Sequence, residues 1–281
     1  MKIVVNYLKE AEELFNEGKI DFVDYFKLYS INEELTPIDW CVEHRPVMFH
    51  GVIGELIAFG DKNLIAGTNI EKTKEVLEKT KSPYLSGHIS SQKMEQTKEE
   101  TLEAIKENIS EYKKVFNKEI ALENVPYRNY FDHCVYLLEP ELISKIVYEN
   151  DCMFLFDISH ARSAAAYLNI PFDEYVSKLP MDKVVEIHLA GMTEKSDGTR
   201  VDCHGKLQEE DYQFLREALK KYPTLQYITL EYGPYYSERM EELMGEDIKL
   251  LPFVTFDSIN EKAKEEVYEQ LIRIKEIIDN N

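Results

Sequence analysis

Short apolar runs along this chain end, one after another, on a side chain that binds metal. PVMFH ends on His50, PYLSGH on His88, IALE on Glu123, CMFLFD on Asp157, VVEIH on His188 and YITLE on Glu231. Two further runs, KIVVNY and VDYFKLYS, bring the strand candidates to eight. Helical segments stand between them: LKEAEELFNEG, with Gly18 as its C-cap candidate, IEKTKEVLEKTK, PELISKIVYEN, LQEEDYQFLREALKKY and a long C-terminal helix. The clearest is QTKEETLEAIKENISEYKKVF, with Leu102, Ile105, Ile109, Tyr112 and Phe116 at helical spacing. Regular alternation of strand and helix implies a parallel sheet covered on both faces, so its strands read as unbroken apolar runs. Eight such units in 281 residues predict a single (β/α)8 TIM barrel, a fold of about 250 residues, with residues 1–281 as one domain. The C-terminal ends of barrel strands converge on one mouth, so side chains distant in sequence meet there.

A histidine after one apolar run is usually a hydrogen-bonded rim residue. Here His50, His88 and His188 end three separate strands, while His160 and His204 stand beside acids, leaving only His44 and His133 as structural. Asp157 and His160 lie three apart in FDISHARSAAA, where a strand gives way to a turn or helix, so both can face the mouth. Asp202 and His204 lie two apart in RVDCHGK; on an extended segment they share one face and Cys203 packs on the other. Glu123 and Glu231 would be heavily desolvated at inward strand ends unless a metal took them. Glu186, two before His188, shares its face and can support it from behind. Asp173 in NIPFDEYV reads equally as a ligand or a surface helix cap. Arg162 is a candidate for a substrate carboxylate, with a surface ion pair as the commoner fate. Nine or ten ligands suit two or three ions bridged by carboxylates. Imidazole and carboxylate without thiolate fit iron, manganese or zinc, which activate water, polarise substrate oxygens or, as iron, take up dioxygen. Glu123, His188 and Glu231 are the candidate catalytic residues among the ligands.

Composition narrows the partners. With 53 acidic against 33 basic residues the formal charge is −20, which opposes nucleic-acid binding, since that depends on cations neutralising phosphates. No apolar run approaches the roughly 18 residues of a membrane span, and MKIVVNYLKEAEEL has no signal-peptide pattern. Cys41, Cys134, Cys152 and Cys203 are scattered without paired spacing, which predicts a reducing cytoplasm. No Gly-rich phosphate loop, G-x-S-x-G elbow or Cys-x-x-Cys occurs.

The blocks LENV (122–125), FDISHA (156–161), EIHLAG (186–191) and DCHG (202–205), in that order, resemble the multinuclear non-heme iron-dependent oxidative enzymes. That family was long catalogued as a domain of unknown function within the xylose-isomerase-like barrel superfamily. The resemblance runs from about residue 45 to 235, and HLAG and D-x-H-G are its most specific parts. It implies two or three irons at the barrel mouth, held by His50, His88, Glu123, Asp157, His160, Asp173, His188, Asp202, His204 and Glu231. It further implies a mixed-valence site that activates oxygen, a cysteine-containing peptide as substrate, as in methanobactin biosynthesis, and a small partner protein that recruits the peptide. LEYG (230–233) departs from the Glu-Trp-Asp of many members, and ISHA from their Asn-rich run, which marks an outlying branch. The type IV apurinic endonucleases share the ligand order with three zincs, and sugar isomerases and epimerases of the superfamily need only a subset of it. The HLAG wording and the −20 charge favour the iron enzymes.

Overall fold

The computed structural model describes residues 1–29, 37–127, 129–194, 200–233 and 259–281. Eight strands close a parallel barrel: β1 (Lys2–Asn6), β2 (Tyr25–Tyr29), β3 (Val47–His50), β4 (Leu85–His88), β5 (Ile120–Glu123), β6 (Met153–Asp157), β7 (Val184–Leu189) and β10 (Tyr227–Leu230). Their order around the barrel is β1-β10-β7-β6-β5-β4-β3-β2. All eight runs read from the sequence are strands of it; Ser30, at the end of the second run, lies outside the described residues. A short antiparallel pair, β8 (Gly191–Glu194) and β9 (Arg200–Gly205), rises from the end of β7.

The helices are α1 (Lys9–Asn16), α2 (Ile38–His44), α3 (Leu64–Gly67), α4 (Ile70–Thr80), α5 (Lys98–Phe116), α6 (Pro140–Glu149), α7 (Ile158–Leu168), α8 (Phe172–Ser177), α9 (Glu209–Lys221) and α10 (Glu261–Asp279). Local chemistry sets their ends. Gly18 follows α1 at φ +71°; its N–H reaches Phe15 O at 2.9 Å and that of Lys19 reaches Leu14 O at 3.0 Å, the paired closure of a Schellman turn. Thr97 and Glu100 form a reciprocal capping box at the start of α5. The inner face of α5 buries Ile105, Ile109, Tyr112 and Phe116, with Leu102 half-buried. Among the described residues, no helix is long and apolar enough to cross a membrane.

Strand alternation sorts the barrel interior. The last inward residues of the eight strands are Asn6, Tyr29, His50, His88, Glu123, Asp157, His188 and, just past β10, Glu231. Two positions earlier on each strand stand Val4, Lys27, Met48, Ser86, Ala121, Leu155, Glu186 and Thr229, all buried. Val4, Met48, Ala121 and Leu155 pack together with Tyr84 as an apolar plug, so the mouth has a dry floor on one side and a polar one on the other.

Candidate metal centre

Sheet register delivers the first ligand pairs. His88 of β4 lies directly beside Glu123 of β5, and Asp157 of β6 beside His188 of β7. His50 of β3 lies beside Ser86 of β4, and its Nδ1 is hydrogen-bonded to Ser86 Oγ at 2.8 Å, which leaves Nε2 for the mouth. Glu123 sits at the middle. Its Oε2 is 3.4 Å from His50 Nε2 and 3.5 Å from His88 Nε2; its Oε1 is 3.3 Å from His160 Nδ1 and 3.5 Å from His188 Nδ1.

Asp157 and His160 combine the helix-cap and ligand readings. Asp157 is the N-cap of α7: its Oδ1 accepts the His160 backbone N–H at 2.7 Å. The other oxygen, Oδ2, has no hydrogen-bond partner and faces His188 Nδ1 at 3.8 Å. The His160 ring is oriented by Asn124, whose backbone carbonyl accepts from Nδ1 at 2.8 Å. A carbonyl only accepts, so Nδ1 carries the proton and Nε2 is the nitrogen left to face a metal, 3.4 Å from Asp202 Oδ2. The Asn124 side chain also clamps the Asp157 backbone, donating to its carbonyl and accepting from its N–H, each at 2.9 Å.

Asp202 and His204 do meet, but not by the simple alternation expected of an extended strand. Gly191 pairs with Gly205 while Met192 pairs with Asp202, so β9 bulges over Cys203 and His204, and His204 takes a left-handed φ of +53°. The bulge brings His204 Nε2 to 3.8 Å from Asp202 Oδ2 and Nδ1 to 3.6 Å from Glu231 Oε1. Glycine at 191 permits it: a Cβ there would stand 2.4 Å from the carbonyl oxygens of Gly205 and Lys206. Cys203 packs away from the mouth, its thiol toward Gly191 O.

Nine of the ten expected ligands therefore converge. They form three separate triads with ligand atoms within 4.8 Å of one another: His50, His88 and Glu123; His160, Asp202 and His204; Asp157, His188 and Glu231. A fourth grouping, Glu123 with Asp157 and His160, takes one member from each triad. Asp173 does not join them. It is exposed in the first turn of α8, where an acid complements the helix dipole, and it belongs to none of the four groupings. His44, bonded to Trp40 O, and His133, bonded to Ser91 O, also stand apart. Arg162 pairs with Glu210 at 2.9 Å and Asp211 at 3.0 Å, so the ion-pair reading applies to it.

Metal fits this donor set. His50 Nε2, Glu123 Oε2 and Asp157 Oδ2 are buried and lack hydrogen-bond partners, a condition that costs heavily in a folded protein, while His188 Nδ1 and Glu231 Oε2 face each other at 2.9 Å without hydrogen-bond geometry. Two ligands each about 2.1 Å from one ion stand roughly 3.0–3.4 Å apart, and the carboxylate-to-imidazole gaps within the triads run from 2.9 Å (His188 Nδ1 to Glu231 Oε2) to 3.8 Å (His188 Nδ1 to Asp157 Oδ2). Burial pushes the His50 and His88 imidazoles down, toward the neutral form that binds metal. Burial also pushes Glu123 and Glu231 up, but the surrounding histidines outweigh it and hold both below the usual carboxylate range. For Asp157, burial wins, helped by Glu231, Asp202 and Glu123 against His160, and raises it to about 6. Burial lowers His160, but Asp157, Asp202 and Glu123 outweigh it and raise the imidazole to about 10.

A pH dependence follows. Without metal, His160 holds a proton on Nε2 at neutral pH, and an ion bound there must displace it. Each displaced proton makes affinity rise about tenfold per pH unit below the group's own pKa, so zinc should bind about 100-fold more tightly at pH 8.5 than at 6.5. Competition with a chromogenic chelator, corrected for the chelator's own titration, measures this; a flat profile would remove His160 Nε2 from the ligand set.

Several residues of the site escaped the sequence reading. Lys27 lies enclosed beneath the centre, its Nζ 2.7 Å from Glu186 Oε1 and 2.6 Å from His188 Nε2. Tyr29 ends β2 with its ring 5.1 Å from that of His50; burial and the carboxylates Glu231, Glu123 and Glu186 push its phenol well up. A lysine inside the apolar run YFKLY was the available signal, because a buried strand tolerates an ammonium only with a partner.

Known proteins share both wording and fold. A profile of the family described as "RiPP precursor modification enzyme MbnB/TglH/ChrH" matches residues 12–246. A UPF0276 protein of Psychromonas ingrahamii is 25% identical over 198 residues, 66% of this chain and 67% of that protein. A xylose isomerase domain-containing protein of Salmonella typhimurium LT2 superposes with a TM-score of 0.60 at 13% identity, over 98% of this chain and 97% of that one. The IOLI protein, solved with a zinc atom, gives a TM-score of 0.59 at 15% identity over 98% of both chains. At those identities the two structures bear out the closed eight-stranded barrel and say nothing of the chemistry.

Proposed function

The chain belongs to the RiPP precursor modification enzymes of the MbnB/TglH/ChrH family, and from that premise we propose that it holds three irons at its barrel mouth and oxidises a cysteine-containing precursor peptide. The observation that carries this reading is the division of nine ligands into three triads, with Glu123, Asp157 and His160 linking them. One ion would be held by His50, His88 and Glu123, a second by His160, Asp202 and His204, a third by Asp157, His188 and Glu231. Iron bound there supplies Lewis-acid and redox chemistry toward dioxygen and a substrate thiolate.

The protein's own residues do the rest. Glu123, shared among the groups, fixes their spacing, and His188 and Glu231 close the inner triad, away from solvent. His88 and His204, with side chains 29% and 15% exposed, are the most open ligands and mark the side from which substrate approaches. A small partner protein that presents the peptide belongs to the same reading, as does a one-domain protein of the reducing cytoplasm, where the free, buried Cys41, Cys134, Cys152 and Cys203 would stay reduced.

Anaerobic purification followed by metal analysis and oxygen uptake tests the proposal. About three irons per chain are expected, with dioxygen consumed only when a Cys-containing precursor peptide is supplied and not with its Cys→Ser version. Protein active with zinc alone, on abasic DNA or on a sugar, would overturn it.

A further inference from the structure

We propose that Lys27, through its contacts with Glu186 and His188, is a positioning residue that turns the His188 ring so that Nδ1 faces the metal centre. The proposal rests on the metal-centre reading above and adds to it a residue on the strand β2, which contributes no ligand. Lys27 and Glu186 are both fully enclosed, and Nζ lies 2.7 Å from Glu186 Oε1. The carboxylate cannot swing away, because Tyr84 OH donates to its Oε2 at 2.7 Å and Thr229 Oγ1 donates to its Oε1. Thr229 lies directly beside His188 in the sheet register, so the whole assembly is tied to the strand pair that carries the ligand.

His188 differs from its neighbours in which nitrogen it offers. His50 and His160 each engage Nδ1 with the protein, at Ser86 Oγ and Asn124 O, and present Nε2 to the mouth. In His188 the ring is folded the other way: Nε2 points down to Lys27 Nζ at 2.6 Å and Glu186 Oε1 at 3.3 Å. Its Nδ1 is then left among Glu231 Oε2 at 2.9 Å, Glu123 Oε1 at 3.5 Å and Asp157 Oδ2 at 3.8 Å. The Lys27–Glu186 pair offers Nε2 a partner in either form of the ring. The ammonium donates to a bare Nε2, and Glu186 Oε1 accepts from an Nε2–H. A ring that lost both partners would have no reason to keep Nε2 down and could turn it toward the mouth, where the other histidines already place theirs. Groups behind a ligating histidine fix its ring and commonly change metal affinity by about 10–100-fold when removed.

The experiment uses zinc as probe on metal-stripped full-length protein, with long-range ¹H–¹⁵N spectra of the histidine rings. In the unaltered protein, His188, assigned by its loss in His188→Gln, should show zinc on Nδ1 while His50 and His160 show it on Nε2. Lys27→Met with Glu186→Gln removes both charges together and so leaves no unpaired ion inside. That double variant should lose the Nδ1-bound signal and bind one of its zincs about 10–100-fold more weakly, the others unchanged. If it does not fold, Tyr84→Phe loosens Glu186 without stranding a charge and should weaken the same zinc several-fold. Wild-type affinity with His188 still bound through Nδ1 would show a structural ion pair only and overturn the proposal. Wild-type protein that takes up no zinc would instead remove the metal-centre reading, and this one with it.

Discussion

Glu123→Gln should lose at least two of the three ions and about 10³-fold or more of the peptide-oxidising activity, some 4 kcal/mol of barrier. No other ligand touches as many histidines: His50 and His88 approach one of its oxygens at 3.4 and 3.5 Å, His160 and His188 the other at 3.3 and 3.5 Å. An amide keeps the shape but removes the negative charge, and it replaces one acceptor by an NH2 that points donor hydrogens at nitrogens meant for metal. The loss therefore falls on the first triad and on the grouping that links all three. Glu231→Gln, confined to one triad, should cost a single ion, so comparing the two separates a bridging carboxylate from a terminal one. Metal analysis beside turnover measures the effect, with thermal melts of both metal-free variants to show that the barrel survives. Full metal content in Glu123→Gln would contradict the shared role. Acid should not mimic the variant near pH 5, because burial raises this carboxyl but His88, His188 and His50 outweigh it and keep it ionised there.

The barrel was legible because a parallel strand covered on both faces must be apolar throughout, and IALE, CMFLFD and VVEIH satisfy that in a few residues each. The place of the candidate ligands at strand ends was legible for a related reason: whichever inward side chain ends a barrel strand faces the mouth, so bringing His50, His88, Glu123 and His188 there needed no tertiary knowledge. What depended on contacts between distant strands was not legible. Lys27 finds Glu186 across 159 positions, and nothing local to YFKLY reveals that partner. Which nitrogen His50, His160 and His188 present is decided by Ser86, Asn124 and Lys27, again from distant parts of the chain. The bulge at His204 arises from how β9 must pair with Gly191, where backbone meets backbone at a position only glycine can fill. Asp173 shows the opposite failure: a motif-based expectation placed it in the centre, yet a first-turn helix position turns its carboxylate to solvent.

Chelation should lower the melting temperature by more than about 10 °C, and the metal-free and metal-loaded proteins should respond to pH with opposite slopes. Ions bind only where the fold has assembled the triads, so each site at 1,000 times its Kd adds about 4 kcal/mol of stability. At roughly 2 °C per kcal/mol for a chain of this size, loss of even two ions exceeds 10 °C. The slopes follow from the raised groups. Without metal, His160 stands at about 10 in the fold against about 6.5 unfolded. Its contribution is fully present below pH 6.5 and is lost as pH rises toward 10. Asp157, at about 6 in the fold and about 3.9 unfolded, has the same sign, lost as pH rises from about 4 through 6. His50 and His88 are depressed by burial and act the other way, but only below about pH 6.5. Between pH 8.5 and 6.5 the stripped protein should therefore gain stability on acidification. The loaded protein should lose some over the same window, because its ligand histidines hold metal in the fold but take up protons near pH 6.5 once the chain unfolds. Scanning calorimetry with and without chelator at pH 6.5, 7.5 and 8.5 reads both effects at once. A melting temperature indifferent to chelator, with parallel slopes, would leave the nine residues as a buried polar cluster without resident metal.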